Sequence, residues 1–228
     1  MWRFLGIYFL FFQLSFSQTN INANLKQESN DKTEYLFDPT IVKHQLDSLN
    51  KLTPLNLVYN KTVAQHIKFY LFQRPEQVSK LLALSEYYFP IFESLLDKNT
   101  LPLEIKYLPI IESSLNPQAR SYAGAVGLWQ FMYLTAKEYG LRINSYLDER
   151  KDTHKSTEAA CRYLDKAYSK FRNWDLALSS YNAGARNITK AIRRSGGKTN
   201  YWELRPFLPK QTRNYIPSFI AAIYVMNF

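Results

Sequence analysis

Between Pro109 and Phe131 the chain reads "PIIESSLNPQARSYAGAVGLWQF", with Glu112 as its one carboxylate; no further Asp or Glu follows until Glu138. A lone acid among apolar and small residues suits proton transfer if its surroundings hold the proton near neutral pH. The spacing from Pro102 to Asn116 predicts a helix. Leu103, Tyr107, Ile110 and Ile111 fall on its apolar side, Pro109 kinks it, and Asn116 with Pro117 stops it. Glu112 then lies in the last turn, where the negative end of the helix dipole and desolvation both disfavour the ionised form.

The loop that follows carries Gly124 and Gly127, which permit tight turns and close backbone approach. Trp129 and Phe131 offer flat apolar faces to sugar rings, and Gln130 an amide for hydroxyl or acetamido groups; each also fits a plain packing role. Further on, "NWDLALSSYNAGARNI" sets Tyr181 and Asn182 at the end of an apolar helical run, before Gly184 as a helix stop. The tyrosine hydroxyl reaches either a bound ligand or a core partner. His44, His66 and His154 stand far apart, and neither a nucleophile elbow nor a phosphate loop is present. No metal or cofactor is implied.

These residues need a scaffold, and the composition supplies one. With 46% hydrophobic and 16% aromatic residues, the 228-residue chain is too rich in core formers to be disordered and fits one domain plus an extension. Helical spacing marks Pro39 to Asn50, Asn60 to Gln73 and Pro75 to Lys98, and no strand-like alternation of useful length occurs. The single cysteine, Cys161, excludes an internal disulfide and reads as a small core residue in "STEAACRYL". The N-terminal "MWRFLGIYFLFFQLSFSQ" reads as a secretory signal peptide cleaved after Ser17, since its apolar run, Phe4 to Phe12, is short for a membrane span of ~20 residues; an uncleaved anchor is the alternative, and either way the rest of the chain leaves the cytoplasm. No stable span is expected after cleavage. The formal charge is +10, which loss of Arg3 lowers to +9; "RNITKAIRRSGGK" is the nearest thing to a basic patch, and a solvated face explains it, so no nucleic-acid partner is expected.

Two motifs together, "ESSLNPQARSYAGAVGLWQFM" and "SSYNAG", closely resemble the lytic transglycosylases of goose-type or soluble-transglycosylase-like lysozyme fold, and "LPKQTRNYIPSFIAA" resembles the membrane-bound D-type branch. The resemblance covers Leu101 to Phe228. It implies a mainly α lysozyme-like domain that cleaves peptidoglycan between N-acetylmuramic acid and N-acetylglucosamine without water, leaving a 1,6-anhydromuramic end. By the same resemblance Glu112 is the single acid and base. Ser121 and Gln130 bind sugars near the cleavage point, Met132 lines the groove, Tyr181 holds its hydroxyl near Glu112, and Asn182 orders the same loop. Gln211 stands where the family often has a glutamate, so its amide would bond an N-acetyl group without a charge, while Tyr215 matches the pattern as a structural residue. A water-using muramidase and a silent glycan-binding wall protein share the same residues. The expected organisation is a signal peptide at 1–17, a flexible leader at 18–38, a helical extension at 39–98 and the lysozyme-like domain at 99–228, exported to the periplasm or cell envelope. Peptidoglycan strands are the expected partner, and no protein partner is implied.

Overall fold

The structure, a computed structural model, describes residues 37–228. The expected signal peptide and residues 18–36 of the leader lie outside the described residues. The chain groups into two compact units, Met1–Val42 and Lys43–Phe228; of the first, only residues 37–42 are described, and they include the start of helix α1 (Pro39–Asn50).

Helix formation follows local signals. Asn60 accepts the amides of Thr62 and Val63 and starts α2 (Lys61–Lys68), which widens into a π-helical turn (Phe69–Gln73) before Pro75 opens α3 (Pro75–Lys98). The expected helix from Pro102 to Asn116 is instead two pieces, a 3-10 turn (Leu103–Tyr107) and α4 (Leu108–Ser113). Pro109 falls in the first turn of α4, where no helical partner is lost, so a junction replaces the expected kink. The tighter turn also shifts the apolar face. Ile105, Tyr107, Leu108 and Ile110 are buried, while Leu103 is exposed.

A loop with two isolated bridges, Arg120 with Val126 and Val126 with Phe131, leads to α5 (Tyr133–Glu138), and no regular strand forms among the described residues. Asp152 caps α6 (Thr153–Phe171) and Asn173 caps α7 (Trp174–Ala183). These two pack closely because α6 offers small residues, Ala159, Ala160, Cys161 and Ala167, on its buried face. Burial pushes the Cys161 thiol up to about 12, which leaves it an inert core group. After α8 (Ala185–Arg194), α9 (Tyr201–Leu204) and a 3-10 turn (Thr212–Asn214) comes α10 (Tyr215–Val225). Nearly every residue of α10 is buried, as expected of a helix apolar all round; it packs against α2, α4 and α7 and so lies under the site. No described helix is long and apolar enough to cross a membrane.

Candidate active site

Glu112 sits in the last turn of α4, with Ser114 and Leu115 beyond it in left-handed conformations that end the helix. Its side chain keeps partial exposure at the bottom of dense surroundings. Burial raises its carboxyl to about 7, opposed by a hydrogen bond that the Tyr215 hydroxyl donates to Oε1 at 2.5 Å. No charged group contributes to this shift, so among the described residues no second carboxylate acts on it. Oε1 is held by Tyr215, which leaves Oε2 to carry the proton. Burial and the nearby Glu112 carboxylate raise the hydroxyls of both Tyr215 and Tyr181 well above the ordinary tyrosine range, so both remain neutral donors. Because the Tyr215 bond favours the ionised carboxyl, Tyr215→Phe is expected to move the Glu112 pKa above its present value, read from the carboxyl carbon signal in an NMR titration. An unchanged midpoint would show that the bond does not act on the charge.

Tyr181, near the end of α7, donates its hydroxyl to the Trp129 carbonyl at 2.8 Å and meets Phe131 and Tyr163 edge-on. The direct contact to Glu112 thus belongs to Tyr215, which the sequence marked only as structural, and Tyr181 braces the loop beside it. Of the two roles open to Trp129 and Phe131, sugar platform or packing, the structure shows packing. Both are buried core residues, the Trp129 indole N–H donating to Thr157 Oγ1 at 2.8 Å and its ring meeting Phe92 edge-on. Gln130, between them, adopts φ +48 and donates its amide nitrogen within the loop to Gly127 and Ala119 carbonyls, so its oxygen is what it can offer a ligand. Ser121 Oγ accepts the Ala125 amide across the loop's turn. Met132 is exposed at the start of α5. Asn182 Oδ1 accepts from Thr212 Oγ1 at 2.9 Å, tying α7 to the turn before Tyr215. Gln211 lies exposed on that turn. A cavity of about 250 Å³ gathers Gln130, Met132, Tyr181 and Asn182; Ser121 and Gln211 do not line it.

Sequence reasoning missed the device that shapes the loop. Arg150, buried, donates to the carbonyls of Gly124 and Phe131, one on each arm, while Asp148 holds the same guanidinium. Arg142 and Lys155 hold Glu149 beside it down to about 2. The acids around the loop are therefore ionised and engaged, in contrast to Glu112. Nothing in "DERKD" distinguishes such a clamp from a solvated charge run. On the inner arm, Ser113 Oγ bridges the Pro109 and Leu128 carbonyls and fixes the loop against the turn that bears Glu112.

Residues 89–203 match the transglycosylase SLT domain family. Over 128 residues the chain is 36% identical to membrane-bound lytic murein transglycosylase D of Escherichia coli strain K12, covering 54% of this chain and 28% of that protein. It thus spans well under a third of that relative's length. Among solved structures, the 70 kDa soluble lytic transglycosylase of Escherichia coli superposes with a TM-score of 0.54 at 20% identity, over 75% of this chain and 31% of that one. An inactive mutant of the lytic transglycosylase Slt from Pseudomonas aeruginosa gives 0.51 at 20% identity, over 92% and 34%. These likenesses establish the mainly helical, lysozyme-like fold expected from the sequence.

Proposed function

We propose, for a chain that belongs to the transglycosylase SLT family, non-hydrolytic cleavage of the β-1,4 bond between N-acetylmuramic acid and N-acetylglucosamine in peptidoglycan, with Glu112 as the one acid and base. The observation that supports this reading is the carboxyl at the end of α4, held by the Tyr215 hydroxyl at 2.5 Å in surroundings whose desolvation raises it to about 7. Glycosidases that use water or a covalent intermediate need two carboxyl groups flanking the bond. A single group suffices if the sugar supplies its own nucleophile. Glu112 gives its proton to the glycosidic oxygen as the C1–O bond breaks, the substrate's acetamido group stabilises the cation, and the muramic 6-hydroxyl attacks C1. The proton of that hydroxyl returns to the Glu112 carboxylate, which restores the enzyme. Tyr215, bound to Oε1, keeps Oε2 aimed for both transfers. Gln130, Met132, Tyr181 and Asn182 would line the sugar path, with Ser121 and Gln211 at its margins. Export by the segment at 1–17 would bring the enzyme to the wall in the periplasm or cell envelope.

Product chemistry tests the reading. Sacculi digested with the protein are expected to release muropeptides one water lighter than hydrolytic products, with no reducing end, so borohydride leaves their masses unchanged. Heavier products that borohydride reduces would make the chain a muramidase. A folded protein that binds sacculi and releases nothing would make it a glycan-binding protein.

A further inference from the structure

A second cavity lies where α2 and its π-helical turn meet α10. It has a volume of about 360 Å³ and is lined by Gln65, His66, Phe69, Tyr70 and Ser218. Ser218 follows Tyr215 by one turn of α10, about 4.5 Å along the axis. On the other wall the π-helical turn leads through Arg74 into α3, whose Gln77 amide donates to Ser114 Oγ at 2.9 Å, two residues past Glu112. All five lining residues lie outside the family-matched segment 89–203.

The cavity is amphiphilic in a particular way. The π-helical turn, an uncommon geometry often found at functional sites, buries Tyr70 and leaves Phe69 38% exposed. The Phe69 ring is held by an edge contact with Tyr70 and by the Arg74 guanidinium at 5.6 Å. The cavity's polar pair is His66 Nδ1 with Ser218 Oγ at 3.2 Å. An apolar ring face joined by one neutral hydrogen-bonding pair matches a pyranose, which has a C–H face and a polar edge, and the volume lies in the range of small-ligand sites. Burial and the nearby Arg205 lower the His66 pKa, so at neutral pH the ring meets a ligand as a neutral hydrogen-bonding group.

We infer that this cavity is a glycan subsite supplied by the N-terminal extension, which takes an uncharged N-acetylhexosamine of the strand beyond the bond held at Glu112. The inference rests on the glycan-cleaving reading of Glu112, and its test separates the two. In the full chain carrying Glu112→Gln, which binds without turnover, calorimetry with N-acetylglucosamine oligomers from dimer to hexamer is expected to show affinity rising with length. Phe69→Ala, and independently His66→Gln, should each lower the ratio of hexamer to dimer affinity at least about fivefold, the scale of one lost aromatic contact. The second variant keeps the test decisive if loss of the Phe69 ring upsets folding. An unchanged ratio in both variants, each melting as a folded protein, overturns the subsite. So does binding of a dodecyl detergent that Phe69→Ala abolishes while oligomer affinities stay the same, since the cavity would then hold an alkyl chain. If the unmodified protein cuts sacculi and the ratio is unchanged, only the subsite falls; if it cuts nothing, the reading of Glu112 falls and takes the subsite with it.

Discussion

Glu112→Gln is expected to lower glycan cleavage by at least about 100-fold and, at pH 8, to make the protein more stable. Glutamine keeps the shape of the side chain and its bond to Tyr215 but has no proton to transfer. The stability gain follows from linkage. The Glu112 carboxyl ionises near 4.5 when unfolded and near 7 when folded, so the folded state binds the proton more tightly. Its raised pKa leaves stability untouched below 4.5, removes it progressively as pH rises from 4.5 to 7, and holds a constant loss above that. The difference corresponds to roughly 3 kcal/mol at pH 8, or a rise in Tm of about 6–12 °C for a chain of this size. At pH 4 the two proteins should melt together. Activity that survives in a folded Glu112→Gln protein would remove Glu112 from the chemistry; equal melting at pH 8 would show that its carboxyl is not held protonated by burial. A catalytic residue that destabilises the fold is what a general acid kept protonated in a desolvated place requires.

Glu112 was legible because a single acid amid apolar residues has few bland explanations, and the helix end beside it could be read from Asn116 and Pro117. Its partner was not. Tyr215 is one of 17 tyrosines, 103 positions away, and only the placement of α10 against α4 brings its hydroxyl to the carboxyl. The loop shows the same division. Gly127 could be read as a turn glycine, but the direction of "GLWQF" could not. The antiparallel bridge between Val126 and Phe131 and the left-handed turn at Gln130 send Trp129 and Phe131 inward, which decides for packing where the sequence allowed either packing or sugar contact. Helices α1 and α3 could be placed from their spacing, and each begins at a proline. The split between Leu103–Tyr107 and α4 escaped because proline at the second helical position and proline in mid-helix look alike until the helix start is known.

The close approach at Gly127 predicts the largest structural effect of any single methyl group in the site. Gly127 and Gly124 both have positive φ, +86 and +89, which a side chain disfavours by about 1–2 kcal/mol. Their surroundings differ. A Cβ on Gly124 would meet nothing within 4 Å, whereas one on Gly127 would lie 1.9 Å from the Arg150 carbonyl oxygen and 2.8 Å from its carbon, both rigid backbone. That backbone cannot retreat freely, because the Arg150 side chain grips Gly124 and Phe131 and the Lys151 amide bonds back to Asp148. Gly124→Ala should therefore lower Tm by roughly 2–8 °C, the conformational term alone. Gly127→Ala adds overpacking against main chain, a further cost of about 1–3 kcal/mol or more, and should lower Tm by roughly a further 2–12 °C. It should also pull the loop off Ser113 and Tyr181, so that cleavage falls even at temperatures where the protein is still folded. Equal melting of the two variants would mean that the Arg150 carbonyl does not wall the loop at Gly127. A destabilised Gly127→Ala with undiminished cleavage at low temperature would mean that the loop's path does not position the Glu112 site.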